Sequence, residues 1–354
     1  MAANLQAGLW RWQHSRSAVT PANLEAIGFE AIGGWAGDDH CAALECYLRS
    51  ASLTGQPVPD AGEAQALLKD RQKARAFFEQ TFAPFRVLAE PGLLTSYFEP
   101  VLKGSRKQSA AFPAPVYRRP PDLAPLLPGH PLSNQGLTAG RELPSGFEPY
   151  FTRAEIEAGA LAGKGLELLF VADRLEAFVM HVQGSGLIEL DDGAAVRITF
   201  DGKNGHPYSS VAKLLVQRGY LALEEAHLEG MLAWLRAQPE PRVFLNENKS
   251  YIFFKELEQS ATAPRGSSGA ELSPGRSLAA DPLYHVPGTP IWVVAPELDF
   301  ESAPLRRLLI VQDTGSAIAG PQRGDIFAGM GADAARFAGR VRHRCEFIVL
   351  RPRR

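Results

Sequence analysis

Apolar positions change their period along this chain. Between residues 35 and 50, Leu44, Tyr47 and Leu48 recur at three- and four-residue steps behind Asp38 and Asp39, the pattern of an amphipathic helix with an acidic cap. A second run, Leu67, Leu68, Ala74, Phe77, Phe78 and Phe82, predicts another helix over 62–85. The N-terminal region is therefore expected to be mainly helical. Further on, the prolines of FPAPVYRRPPDLAPLLPGHP carry no N–H and a fixed φ, which excludes regular helix and central strand and predicts a loop-rich segment over 112–149.

Strand patterns follow. LELLFVA (166–172), EAFVMHV (176–182) and VRITF (196–200) are each bounded by Gly or Asp turn signals, as strands are. Two short helices are predicted over 209–218 and 224–237, the second halted by Pro239. Beyond the Gly/Ser/Pro-rich stretch APRGSSGAELSPGRS, the runs PIWVV, RRLLIVQD and CEFIVL predict a β-rich end. Helices, a β insert and a β-rich end give a mixed architecture without βαβ alternation.

Composition narrows the class. At 354 residues, 45% hydrophobic and 21% charged, the chain suits one large or two ordinary soluble domains. A net charge of -2 offers no clustered basic surface for nucleic acid, and the terminal RPRR reads as a solvated tail. Cys41, Cys46 and Cys345 form no CxxC pair, which suggests neither a zinc site nor a disulfide framework. MAANLQAGLWRWQHS lacks the apolar stretch of a signal sequence, and no segment approaches the roughly 20 apolar residues of a membrane span. The chain reads either as cytosolic or as one whose targeting segment has been removed.

Candidate chemistry centres on DTGSAIAGPQRGDIFAG, where Asp313 and Asp325 stand twelve positions apart. Asp313-Thr314-Gly315 resembles the triplet of aspartic proteases, but that chemistry needs two carboxylates sharing one proton and no second triplet occurs. An Asp that closes a strand and caps a Gly turn is the plainer reading. Asp325, at the start of a strand, would lose water in a cleft, and desolvation raises a carboxyl toward general-acid use. Asp281 precedes Pro282 in a turn sequence. Three aspartates could bind a hard cation, yet no DxDxDG loop or His cluster accompanies them, and no metal or cofactor is expected. GSG at 184–186 is not the GxSxG elbow, and His181 reads as a strand residue. TSYFEP (95–100) and NENKSYIFF (246–254) combine Tyr97 and Tyr251 with polar neighbours, as glycan sites do and as ordinary strand ends also do.

Taken in order, TSYFEPVLKGSR, FPAPVYRRP, YFTRAEIEAG, HVQGSG, NKSYIFF, PGRSLAADPLYHVPGTPIW and DTGSAIAGPQRGDIFAG resemble one family, membrane-bound lytic murein transglycosylase A, over residues 35–350. The resemblance implies a mainly β fold with N-terminal helices: a double-psi β-barrel domain (1–105 and 243–354) carrying an inserted second β-barrel domain (106–242), with a glycan-holding groove between them. It implies that Asp325 is the catalytic acid, that Asp313 and Asp281 shape its field, and that Thr95, Tyr97, Gln183, Ser185, Gly186, Ser250 and Tyr251 bind substrate. The reaction implied is cleavage of the β-1,4 bond between N-acetylmuramic acid and N-acetylglucosamine in peptidoglycan, with closure of a 1,6-anhydro ring. One acid suffices, because the 6-hydroxyl of the muramic acid residue replaces the water that ordinary glycosidases activate with a second carboxylate.

Two other readings stay open: a peptidoglycan-binding tether that does not cut, and a hydrolase using Glu99 or Glu247 to activate water. The resemblance also implies a monomer on the periplasmic side of the envelope, an outer-membrane lipoprotein in its full-length form, with other cell-wall enzymes as candidate partners and neither nucleic acid nor a transmembrane segment involved. Departures from the family pattern are Ser316 where a second glycine is usual, a less regular SGAELSPGRS region, and no acylatable cysteine near the N-terminus.

Overall fold

A computed structural model describes residues 23–258, 261–315 and 317–353; Ser316 lies outside them. The N-terminal segment forms β1 (Leu24–Ala26), α1 (His40–Thr54), α2 (Ala61–Leu67), α3 (Arg71–Thr81), β2 (Phe82–Val87) and β3 (Gly92–Glu99). The middle forms β4 (Val101–Ser105), β5 (Ala114–Tyr117), β6 (Leu123–Pro125), β7 (Ala139–Leu143), β8 (Gly146–Pro149), α4 (Arg153–Glu157), β9 (Glu167–Val171), α5 (Arg174–Gln183), β10 (Ser185–Leu190), β11 (Ala195–Lys203), α6 (Val211–Gln217), α7 (Leu228–Arg236), α8 (Pro241–Leu245) and β12 (Ile252–Glu256). The last third forms β13 (Ser277–Ala280), β14 (Pro290–Phe300), β15 (Ala303–Asp313), β16 (Arg323–Met330), α9 (Gly331–Ala338) and β17 (Arg342–Pro352).

These residues separate into two compact units. The first comprises the chain up to Tyr97, Arg265–Gly329 and the residues from Val341 onward; the second comprises Phe98–Pro264 and Met330–Arg340. The chain thus passes between the units at 97/98, 264/265, 329/330 and 340/341.

In the first unit six strands close on themselves in the order β3, β17, β14, β15, β13, β16 and back to β3, with β2 and β1 added beyond β17. This is the closed barrel that the resemblance implied. Strand β13 lies parallel to β15 and antiparallel to β16. Trp292, Leu308, Ile310, Ile348 and Leu350 from β14, β15 and β17 pack with Leu44 and Tyr47 of α1 and Phe78 of α3 in one core. Strands covered on the outside as well as the inside are apolar at consecutive positions, which is why Ile291–Val293, Leu308–Val311 and Phe347–Leu350 are all buried. Beneath the helices, the buried Arg276 meets Asp38 at 2.8 Å, and the Leu308 N–H donates to the same carboxylate.

The N-terminal helices begin where acids cap them. Asp39 accepts the Ala42 N–H at 3.1 Å, and α1 ends at Gly55, whose φ of 70° a side-chain-free residue adopts without strain. The single helix predicted over 62–85 is corrected to two helices and a strand. Asp70 accepts the N–H groups of Gln72 and Lys73 and restarts the helix as α3. From Phe82 the chain is extended, because Pro84 cannot donate within a helix and Phe82 and Val87 are buried in a strand paired with β1 and β17.

The second unit holds a six-stranded sheet ordered β12-β11-β10-β4-β9-β5 and a three-stranded sheet β6-β7-β8. Among the described residues no ladder joins β12 to β5. The Pro-rich segment supplies β5 to β8, with Pro115 on the terminal strand β5, where a missing N–H costs no ladder bond.

The strand predicted over 176–182 is instead helix α5, which Asp173 caps by accepting the Leu175 N–H at 2.7 Å and Gly184 ends at φ 83°. Ala177 and Met180 pack against the large sheet, while Leu175 and Phe178 pack against α6 to α8. Burial on several sides erases the amphipathic period by which a helix is read. His181 is accordingly helical, and GSG follows a helix and opens a strand.

Candidate active site

The barrel's strand register places two of the three aspartates on either side of one residue. Ala279 of β13 is the register partner of Asp313 on parallel β15 and of Asp325 on antiparallel β16. The two acids therefore stand two strand spacings apart, about 10 Å along the sheet, and their carboxyls bind different donors.

Asp325 is half-buried and accepts the Thr95 hydroxyl on Oδ1 at 2.5 Å. Next to it, the Ser96 hydroxyl donates to the Ile326 carbonyl at 2.8 Å, tying β3 to β16. Burial raises Asp325 from 3.8 to about 6, against the Thr95 hydrogen bond and the charge of Arg323 and with a further upward push from Asp313. A carboxyl poised there holds its proton in about half the molecules at pH 6 and about a tenth at pH 7, and can both give and take one.

Asp313 is differently dressed. Its Oδ1 accepts the N–H groups of Ser267 at 2.9 Å and Thr314 at 2.8 Å, and its Oδ2 accepts the Tyr97 hydroxyl at 3.1 Å. Burial raises it, and those three donors hold it down. Tyr97 is pushed well above its usual range by burial and by the charges of Asp313 and Asp325, so it stays a phenol and a donor. Its ring lies 5.4 Å from that of Phe327. Asp281 is buried and spends both oxygens on backbone: Oδ1 accepts the Leu283 N–H at 2.9 Å and Oδ2 the Gly320 N–H at 2.7 Å. It pins the loop that leads into β16, and the turn reading made from Asp-Pro describes it.

Thr95, Tyr97, Asp313 and Asp325 are thus brought together in the first unit. The other predicted binding residues belong to the second. Gln183 accepts the Phe98 N–H at 3.0 Å on its side-chain oxygen. Ser185 and Gly186 open β10, where a Cβ on Gly186 would come within 2.8 Å of the Met180 sulfur. Ser250 and Tyr251 are buried. Their segment holds the buried Arg153, which donates to the Ser250 carbonyl at 2.8 Å and to His181 Nδ1 at 3.1 Å, and the Tyr251 ring packs 4.3 Å from His181. Neither side chain presents a platform to a glycan.

The carboxylates proposed for water activation are occupied. Glu99 has 0% exposure, and the Arg197 Nε donates to both of its oxygens at 3.0 Å. Glu247 pairs with Arg218 at 2.8 Å. Among the described residues no group of three or more His, Cys, Asp or Glu is placed to hold a metal ion, and no helix is long and apolar enough to cross a membrane.

One residue of this site escaped the sequence reading. Arg323, two positions before Asp325, donates through Nη2 to Thr95 Oγ1 at 2.8 Å and through Nη1 to the Leu93 carbonyl at 3.2 Å. The only signal was the basic residue of RGDIFAG, which spacing cannot tell from a solvated strand end.

Comparison with known proteins places this geometry in context. The family described as MltA specific insert domain matches residues 93–255, and the 3D domain matches residues 276–351. Membrane-bound lytic murein transglycosylase A of Vibrio cholerae is 36% identical over 259 residues, which are 71% of this chain and 63% of that protein, so the match spans less than two thirds of the relative's length. The crystal structure of membrane-bound lytic murein transglycosylase from Agrobacterium tumefaciens is 32% identical, with a TM-score of 0.83 over 93% of this chain and 98% of that one. MltA of Escherichia coli with bound chitohexaose is 27% identical, with a TM-score of 0.71 over 95% of this chain and 96% of that one.

Proposed function

The chain belongs to the membrane-bound lytic murein transglycosylase A family, and from that premise we propose that it cleaves the β-1,4 bond between N-acetylmuramic acid and N-acetylglucosamine with Asp325 as its one acid and base. The observation that carries the reading is a half-buried carboxyl raised to about 6, while the other candidate carboxylates are already engaged within their own units. Asp313 holds three donors and Glu99 is closed by Arg197.

Asp325 gives its proton to the glycosidic oxygen as the bond to C1 of the muramic acid residue breaks. The 6-hydroxyl of that same residue then bonds to C1, and its proton passes to the Asp325 carboxylate, which restores the acid. Attack from within the substrate replaces an activated water, so no second free carboxylate is required. Asp313 contributes a negative field that helps hold the proton on Asp325, and Tyr97 orients Asp313. Asp281 acts through the loop it fixes. The chitohexaose bound by the Escherichia coli relative supports an extended amino-sugar chain as the ligand, with Thr95, Tyr97, Gln183, Ser185 and Gly186 as the residues offered to it.

The membrane-bound relatives support a place in the envelope, facing peptidoglycan, with a lipid anchor on the full-length protein. We propose further that the protein is a monomer that works alongside other cell-wall enzymes. The test is mass spectrometry of soluble products from purified murein treated with the protein or with Asp325→Asn. Anhydromuramyl products from the parent alone are expected. Reducing-end products would make it a hydrolase, and binding without products a tether.

A further inference from the structure

We infer that Arg323 is a positioning residue for the acid: its guanidinium fixes the direction of the Thr95 hydroxyl and thereby confines the exchangeable proton of Asp325 to Oδ2. The inference deepens the proposed reaction and rests on that reading for its catalytic meaning, although the proton's location follows from hydrogen-bond geometry alone.

A threonine hydroxyl has one hydrogen to give and two lone pairs, whereas a guanidinium only donates. Thr95 Oγ1 has two partners, Arg323 Nη2 at 2.8 Å and Asp325 Oδ1 at 2.5 Å. Since the arginine cannot accept, Thr95 takes a hydrogen bond from it and directs its own O–H at Oδ1. A proton on Oδ1 would face that O–H donor to donor, so the acid carries it on Oδ2, the oxygen that has no hydrogen-bond partner among the described residues and can turn to a glycosidic bond.

The guanidinium is held in turn. Nη1 donates to the Leu93 carbonyl of β3 at 3.2 Å and to the Gly324 carbonyl of its own strand, so one side chain ties both strands that carry the relay. Gly324 keeps the packing close: a Cβ there would meet Phe347 Cζ at 2.8 Å and Leu278 Cδ1 at 2.9 Å. The charged and titratable groups around the relay are Asp313 at the end of β15, Tyr97 of β3, and Arg342 and Cys345 of β17. Arg323 loses some proton affinity to burial, yet guanidinium groups stay charged throughout the working range.

The relay makes a prediction that a mere structural tie does not. In protein labelled with carbon-13 at Asp carboxyls, the Asp325 signal is identified by its loss in Asp325→Asn and followed between pH 4 and 8. Arg323→Met removes a cation and frees the Thr95 hydroxyl to accept, so the titration midpoint rises by roughly 1 pH unit or more. Thr95→Val also raises it, Thr95→Ser leaves it in place, and Arg323→Lys brings it part of the way back.

The deciding comparison is the double variant: Arg323→Met adds less to Thr95→Val than it adds to the parent. An equal increment in both backgrounds would reduce Arg323 to a distant charge, and no shift in Arg323→Met would overturn the inference outright. Should Arg323→Met not fold, judged by circular dichroism, Arg323→Gln is read against Arg323→Lys on the same criterion. Because the titration needs no substrate, a parent protein that releases no anhydromuramyl product would sink the proposed reaction and leave this result standing. If both hold, the alkaline limb of kcat/KM on murein moves with the same midpoint.

Discussion

Replacing Asp325 by Asn should make the protein more stable, and by an amount that depends on pH. The folded environment raises the carboxyl from 3.8 to about 6, and each tenfold change in proton affinity corresponds to about 1.4 kcal/mol. The sign follows from linkage. Below about pH 3 the group is protonated in both folded and unfolded states and costs nothing. Between about pH 3 and 6 the unfolded chain gives up its proton while the folded protein retains it, so folding loses stability as pH rises. Above pH 6.5 the loss is complete, at about 3 kcal/mol. Asn copies the protonated acid, with an oxygen to accept from Thr95 and an NH2 where the Oδ2 proton would be, and it does not titrate. Its stability advantage should therefore grow from near zero at about pH 3 to about 3 kcal/mol at pH 7.5, or roughly 2–4 °C per kcal/mol in a unit of this size. The assay is thermal unfolding of both proteins by circular dichroism at half-unit pH steps. All other groups titrate in both proteins and largely cancel in the difference. A stability difference that is flat with pH, or that favours Asp at pH 7.5, would refute the claim that residue 325 is held as an acid by burial.

Three further outcomes are expected. Gly324→Ala should lower the unfolding free energy by about 1–3 kcal/mol, since its methyl would overpack against Phe347 and Leu278; an unchanged melting temperature would mean that the barrel yields there. Asp38→Ala strips the buried Arg276 of its partner and should cost about 3–5 kcal/mol in urea unfolding. In the parent protein Asp38 is held below its ordinary value, by Arg276 and the Leu308 N–H overcoming burial, so its contribution is present above pH 4 and fades as pH falls beneath that. Arg197→Met should leave Glu99, already pushed up to about 7 by burial, to titrate higher still. The variant's loss of stability should be small at pH 5 and increase as pH passes 7, and a pH-independent loss would show that Arg197 matters only as packing.

How much of this could be read from the chain depends on how many faces an element buries. α1 kept its three- and four-residue spacing and its cap at Asp39 because one face meets the barrel. α5 lost that spacing because it packs against the sheet on one side and against α6 to α8 on another, and seven residues of unbroken helix then resembled a strand. β14, β15 and β17 were plain because double coverage makes a stretch of each apolar at consecutive positions. β13 is four residues long, SLAA, too short and too small to announce itself, although it is the strand that stands between Asp313 and Asp325.

The site shows the same division more sharply. The three aspartates were legible as a set only through the order of seven motifs, and that order said nothing of how differently the three are bound. Asp281 and Asp313 spend their oxygens on backbone N–H groups and a phenol, whereas Asp325 accepts from a hydroxyl that a guanidinium has already oriented. That distinction separates a carboxylate that shapes a field from a carboxyl that can part with a proton. It depends on Thr95 and Arg323 meeting across 228 positions of sequence, a contact that arises only when β3 and β16 are neighbours in a closed barrel. Acid strength at this site is therefore set by the fold's closure as much as by the aspartate, and a substitution that loosened the β3–β16 seam without touching residue 325 should move its titration as well.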